Sequence, residues 1–423
     1  MKIISVVGAR PNFMKIDPFI KAINSFNKSL PLALSPPPPI SHILIHTGQH
    51  YDERMSKAFF KALNLPEADI NMGIGSGTHA EQVGNTMIAF EKILKAEKPD
   101  WVVVVGDVNA TLACSVTAKK ENIKCCHIEA GLRSGDMTMP EEINRLVTDR
   151  LSDLLLTPDR ISSENLLREG IPESKIRFVG NIMIDTLEAN RDIAIKLNIS
   201  HILSRNLIKE SATGDRQQAT GNKIIESAIH NLATGELGKA NPTSDIRHPK
   251  SFPEFCLVTL HRPSNVDRKE VLEPIVRFFL DEVTKELSMI WPVHPRTKKQ
   301  LEEFGLFEDM LKHPGIIMLE PLGYHEMLRL NMDARVLLTD SGGLQEECTV
   351  LGTPCLTLRL NTERPITLRE HGGASILVGN NIERIRSAYN IVHNLSRTPV
   401  RPELWDGHTA ERCLGAILEY ENY

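Results

Sequence analysis

Asp107, Glu129 and Glu141 sit where a chain can move protons. Asp107 follows the apolar run WVVVV after a single glycine, Glu129 directly follows the run 124–128, and Glu141 opens the segment PEEINR. A carboxylate just past a buried parallel strand faces the end of a sheet where open α/β proteins bind ligands, and three of them make an acid/base set. Each also has an ordinary structural use: Asp caps the helix that follows it, and Glu in a first helical turn suits the dipole. Cations accompany them. Arg10 and Lys15 come just after the first apolar run, and two histidine–arginine loops, His261-Arg262 and His294-Pro295-Arg296, end two strands of the second half. Permanent positive charge at strand ends suits a phosphorylated ligand.

The stretch 337–365, LLTDSGGLQEECTVLGTPCLTLRLNTERP, predicts where that ligand is held. A short apolar strand, 336–338, turns at Asp340-Ser341-Gly342-Gly343 into a helical pattern. Unpaired backbone N–H groups and the positive end of a helix dipole then meet at one point, which favours phosphate. Ser341 can cap the helix or bond a phosphate oxygen, while Gly342 and Gly343 allow close approach to the backbone. Glu346 and Glu347 follow a turn later, where a carboxylate suits ribose hydroxyls, and Arg364 offers a guanidinium fork to a second phosphate. The stretch reads as a holder for a nucleoside diphosphate; the plain alternative is a capped helix in an α/β domain.

Strands and helices alternate along the chain to place these groups. Strands are expected at 3–7, 42–46, 101–105, 124–128 and 154–157, with helices at 13–26, 55–63, 81–95, 110–120, 141–150 and 160–168. After residue 200 the composition turns polar, and 211–253 shows only a weak helical patch at 224–232, so it reads as an insert. Alternation resumes with strands at 256–260, 289–293, 316–319, 336–338 and 355–358 and helices at 269–286, 297–304, 323–330 and 343–351. The PPPP run at 36–39 is expected to be an exposed connector. The fold class is therefore α/β, with two doubly wound Rossmann-like domains facing a central cleft. Expected boundaries are 1–190, then 191–395 with the insert at about 208–253, then 396–423, whose helix 409–420 packs back on the first domain.

Composition narrows the function. The 423 residues exceed one typical core. A net charge of -5 without any basic block argues against a nucleic-acid surface. The seven cysteines form no C-x-x-C pair and read as buried thiols of a reducing cytoplasm, not a disulfide or metal framework. The first residues end too abruptly in Gly8 for a signal peptide, and no apolar run approaches membrane-spanning length, so cytoplasmic residence and no membrane are expected. The glycines 73, 75 and 77 lack a preceding strand with a helix at the right offset, and there is no P-loop, so no nicotinamide cofactor and no cofactor of another kind is expected.

The motifs GARPNFMK, TGQHYD, GDVNATLA, HIEAGLRSGD, PEEINR, VGN, TLHRPSN, VHPRT, TDSGGLQEE, GTP and TERP stand here in one order. In that order they resemble the non-hydrolysing UDP-N-acetylglucosamine 2-epimerases, from Met1 to about residue 380. The resemblance implies a GT-B type pair of domains and reversible conversion of UDP-GlcNAc to UDP-ManNAc, by anti elimination of UDP and its re-addition through a 2-acetamidoglucal. It also implies that Asp107, Glu129, Glu141 and His261 are catalytic. Arg10, Lys15, Arg145, His294, Ser341, Gly342, Gly343, Glu347 and Arg364 would bind substrate, and a homodimer is expected. The chemistry is coherent: the C2 proton is not beside a carbonyl, so expelling UDP as the proton leaves avoids an unstabilised carbanion. The insert departs from the family, and Gln49 lies in a loop resembling part of an effector site. Three rivals share these motifs in whole or part: a C2 epimerase of UDP-2,3-diacetamido uronic sugars, a hydrolysing epimerase, and a GT-B glycosyltransferase or nucleotide-sugar sensor.

Overall fold

Strands built of residues apolar on both faces must be buried on both faces, and Trp101–Val105 is: all five residues are fully buried. Each such valine stabilises the fold by about 1.5–3 kcal/mol relative to exposure. The computed structural model describes residues 1–30, 39–48, 63, 67–208 and 253–421. Most of the expected PPPP connector, most of the helix at 55–63, Gln49 and nearly all of the insert lie outside the described residues.

The chain forms two compact units: Met1–Ala189 with Glu363–Ile366 and Arg401–Tyr423, and Asn190–Thr362 with Thr367–Val400. The first holds β1 (Lys2–Val7), β2 (Ser41–His46), β3 (Ile70–Asn71), β4 (Trp101–Val105), β5 (Lys124–Ile128), β6 (Leu154–Thr157) and β7 (Ile176–Phe178). They pair in parallel in the order β3-β2-β1-β4-β5-β6-β7. The second holds β8 (Phe255–Thr259), β9 (Ser288–Pro292), β10 (Ile316–Leu319), β11 (Val336–Thr339), β12 (Cys355–Thr357) and β13 (Ser375–Leu377), in the order β10-β9-β8-β11-β12-β13. Both sheets therefore reverse direction of winding once, between β1 and β4 and between β8 and β11. Such a switch point leaves the carboxyl ends of two adjacent strands open to a ligand.

Two differences from the sequence reading have local causes. The helix expected at 269–286 is Lys269–Phe278, then a π turn Phe279–Val283, then Thr284–Glu286. Phe278 and Phe279 are adjacent yet both buried, and the wider turn lets both face the core. The short strands β3, β7 and β13 lie at sheet edges and carry too few apolar residues to register as strands.

The last segment completes the first unit. Trp405 donates its ring N–H to the Pro158 carbonyl at 2.9 Å, and the N–H groups of Thr409 and Ala410 donate to Asp185. Trp101 on β4 packs edge-on against Tyr420 and donates to Glu421 Oε1 at 2.6 Å. All seven cysteines are buried and unpaired. No helix among the described residues is long and apolar enough to cross a membrane.

Candidate active site

At the first switch point the carboxyl end of β1 runs into the helix Arg10–Ser29, and that of β4 into the turn Gly106-Asp107. Asn12 stitches the two: it accepts from Ala9 N at 2.9 Å and donates to the Val105 carbonyl at 2.9 Å. Gly106 has φ +71°, a conformation glycine adopts without strain, and a Cβ there would lie 3.4 Å from Lys15 Nζ and 3.6 Å from Glu129 Oε2. The turn is therefore lined by the lysine and the glutamate at van der Waals distance. Lys15 and Glu129 form a buried ion pair, Nζ to Oε2 2.5 Å. Glu129 is not a glycine yet has φ +70°, and its second oxygen, Oε1, is buried without a hydrogen-bond partner. Backbone strain and a half-satisfied carboxylate coincide at one residue, as they do at functional positions.

Asp107 does not cap the helix Asn109–Lys120, whose N-cap Val108 makes no side-chain bond. It is partly exposed and pairs with Arg145 Nη1 instead. Arg145 is itself buried and held by Glu142, with Nε at 3.0 Å and Nη2 at 2.7 Å from Oε2. Glu142 also accepts the N–H groups of Ser134 and Gly135. Burial pushes its carboxyl up, but those N–H groups and Arg145 more than offset this and hold it below its ordinary value. Glu141, beside it in the first turn of the helix Pro140–Leu151, is exposed and makes no side-chain hydrogen bond among the described residues. The structure thus brings Lys15, Asp107, Glu129 and Arg145 around one turn and leaves Glu141 at the solvent side of its helix. Glu142 and Asn12 were not singled out in the sequence. Two adjacent acids at a helix start cannot be ranked without knowing which faces inward. The side chain of Arg10 lies outside the description; its backbone starts the first helix.

The second switch point is organised by Asp340, a fully buried carboxylate at the end of β11. It accepts from the N–H of His261 and of Arg262, at 3.0 and 2.9 Å, from Asn265 Nδ2 at 3.0 Å, and lies 2.8 Å from His261 Nδ1. Burial raises its pKa, and the His261 ring together with the two backbone N–H groups brings it below the ordinary carboxylate value. Asp340 also went unremarked in the sequence except as part of a turn, though it ends a strand as Asp107 does. His261 stands 5.5 Å from His294, ring centre to ring centre. Burial first, then the neighbouring His261, lowers the His294 pKa.

Ser341 is the N-cap of the helix Gly342–Leu351, but its hydroxyl does not cap it. A Cβ on Gly343 would meet nothing within 4 Å, so the backbone there faces open space. A helix end with its first N–H groups uncapped beside open space can receive an anion. Glu347, on the same helix, is buried, with Oε2 unpartnered; burial pushes its carboxyl up to about 7 against the pull of Tyr324 and Asn331. Arg364 is buried and paired with the adjacent Glu363, and its segment Glu363–Ile366 is grouped with the first unit. No cluster of three or more His, Cys, Asp or Glu among the described residues suits a metal ion.

Comparison with known proteins gives this arrangement a family. A model of the UDP-N-acetylglucosamine 2-epimerase family matches residues 33–206 and 195–418. The UDP-N-acetylglucosamine 2-epimerase of Methanocaldococcus jannaschii is 40% identical over 424 residues, covering 100% of both chains. The UDP-2,3-diacetamido-2,3-dideoxy-D-glucuronate 2-epimerase of Pseudomonas aeruginosa is 34% identical over 90% of this chain and 88% of that protein. Among solved structures, the M. jannaschii UDP-GlcNAc 2-epimerase in complex with UDP-GlcNAc and UDP superposes with a TM-score of 0.78 over 99% of this chain and 100% of that one.

Proposed function

The chain belongs to the UDP-N-acetylglucosamine 2-epimerase family, and on that footing we propose that it interconverts UDP-GlcNAc and UDP-ManNAc by eliminating UDP and adding it back. It is an isomerase of a nucleotide sugar in a GT-B type fold. In the forward half a carboxylate takes the C2 proton, the C–H electron pair becomes the C1–C2 double bond, and the C1–O bond breaks with its electrons going to UDP. The glycal then takes a proton at C2 on the opposite face while a UDP oxygen attacks C1.

That route needs proton-transfer groups and cations for the leaving diphosphate. Asp107, Glu129 and Glu141 are assigned the first task. His261 is assigned a catalytic part as well, and Lys15 a substrate-binding one. Ser341, Gly342, Gly343 and Arg364, with Arg10, Arg145 and His294, are assigned the diphosphate and sugar, and Glu347 the ribose. The observation that carries the reading is the Lys15–Glu129 pair beside Asp107: two carboxylates at the ends of adjacent strands, one with an unused oxygen, in a chain 40% identical to such an epimerase along its whole length.

The test is proton NMR of the purified protein with UDP-GlcNAc in D2O and no added NAD. The expected result is UDP-ManNAc with deuterium at C2 of both sugars. Free ManNAc and UDP would place the chain with hydrolysing enzymes, and an unchanged spectrum would defeat the assignment of UDP-GlcNAc as substrate. The Pseudomonas relative supports a second reading, epimerisation of a UDP-2,3-diacetamido uronic sugar, checked by the same experiment with that substrate. A homodimer in the cytoplasm completes the reading; light scattering and cell fractionation check it.

A further inference from the structure

A second buried network lies under the Gly106-Asp107 turn and takes no part in the chemistry assigned above. His127 on β5 and Asp149 on the helix Pro140–Leu151 are both fully buried and 2.6 Å apart, Nδ1 to Oδ1. The other ring nitrogen, Nε2, lies 2.9 Å from the Gly106 carbonyl. A carbonyl can only accept, so Nε2 donates to Gly106; burial pushes the Asp149 carboxyl up, but His127 and Arg133 more than offset this and hold it low. The second oxygen of Asp149 accepts from Gly131 N at 3.0 Å and Arg133 Nη1 at 2.7 Å.

These bonds end at particular places. Gly106 immediately precedes Asp107, and Gly131 comes two residues after Glu129. Gly131 is also fixed from outside: Asn165 Nδ2 donates to its carbonyl at 2.9 Å, and with φ +82° a Cβ would stand 2.3 Å from the Ser162 carbonyl. On the other side, the Ile128 carbonyl accepts from Gly106 N at 3.2 Å, and Ala130 N donates to Leu156. Glu129, with its positive φ, is thus held between anchored neighbours. A buried histidine–aspartate pair serving only the core would bond any convenient groups; this one bonds the residues flanking the two strand-end carboxylates.

We propose that His127, oriented by Asp149, is a positioning residue for the epimerisation: its Nε2–H fixes the Gly106 carbonyl and with it the Asp107 turn, while Asp149 fixes the exit of the Glu129 turn. The inference rests on reading Asp107 and Glu129 as the proton-transfer carboxylates. A displacement near 1 Å at such groups costs on the order of 100-fold in rate.

The experiment uses the full chain, UDP-GlcNAc turnover followed by NMR, UDP affinity by calorimetry and the thermal midpoint. Asp107→Asn and Glu129→Gln come first; if both turn over normally, the reading of the carboxylates fails, whatever His127 does. Then His127 is replaced in two ways. Gln places its amide N–H near the position of Nε2 and keeps the Gly106 bond; Asn places it near Nδ1 and keeps only the Asp149 bond. His127→Gln is expected to stay within a few fold of wild type. His127→Asn is expected to lose roughly 10–100-fold in kcat with UDP affinity unchanged. Asp149→Asn, isosteric, can donate to Nδ1 while still accepting from Gly131 and Arg133, and is expected to retain turnover within a few fold. Equal losses in both His127 variants, or UDP affinity falling in step with turnover, would show a purely structural role and overturn the proposal. So would a collapse of turnover in Asp149→Asn with the fold intact.

Discussion

Lys15 Nζ stands 2.5 Å from Glu129 Oε2 with both side chains buried, while the other oxygen of the same carboxylate is buried without a partner. A carboxylate with one oxygen held by a cation and one idle has a lone pair free to take a proton. The left-handed backbone of Glu129 adds strain of about 1–2 kcal/mol. The fold tolerates both costs at the same residue.

Removing the lysine leaves that carboxylate buried and unpaired. Lys15→Met is expected to destabilise the protein by about 3–5 kcal/mol, and Lys15→Met/Glu129→Gln by distinctly less, because the second change removes the orphaned charge. Thermal melts of both variants check this; additive losses would mean that the pair is not coupled.

Adjacent Glu141 and Glu142 should separate cleanly. Glu142→Gln breaks the contact that holds Arg145 and is expected to cost about 2–4 kcal/mol, whereas Glu141→Gln, exposed, should stay within about 0.5 kcal/mol. If Glu141→Gln nonetheless loses turnover with unchanged UDP affinity, its part is chemical. Wild-type turnover in Glu141→Gln would remove it from the proton-transfer set.

Asp107→Asn is expected to keep UDP affinity and lose turnover by about 100-fold or more, because a neutral amide can still bond Arg145 but cannot take a proton. Calorimetry with UDP and NMR with UDP-GlcNAc read the two separately. Loss of UDP binding would instead mark Asp107 as a structural partner of Arg145.

The Glu347 carboxyl, at about 7 in the fold against an ordinary 4.5, makes stability depend on pH. A raised carboxyl binds its proton more tightly folded than unfolded, so its contribution is present below about pH 4.5 and is lost as pH rises through 7. Glu347→Gln should therefore raise the thermal midpoint at pH 8, by a free energy on the order of 2–3 kcal/mol, and leave it nearly unchanged at pH 5. Equal effects at both pH values would show that Glu347 titrates normally.

The central strands were legible because burial on both faces demands unbroken apolar runs, as at Trp101–Val105 and Val336–Thr339. The edge strands Ile176–Phe178 and Ser375–Leu377 were not, since three residues carry no periodicity. At the site, strand-end position alone pointed to Asp107 and Glu129. It could not distinguish Glu141 from Glu142, nor pair His127 with Asp149 across an intervening loop, because those choices depend on which face of the helix Pro140–Leu151 turns inward. Nor could composition predict that Asp340, not His261, is the residue on which the second switch point hangs.

The first unit is completed by residues that are made after the whole second unit. Asp185 waits for the N–H groups of Thr409 and Ala410, and the Trp101 ring N–H for Glu421, so the sheet carrying Asp107 and Glu129 remains partly unsealed while the whole second unit is synthesised. Synthesis order and folding order are then opposed: the second unit, though made later, can finish first. A chain stopped at residue 400 should expose the Trp101 face, seen as bound hydrophobic dye, and adding a peptide of residues 401–423 should quench it; a fragment that melts like the full chain would refute this order.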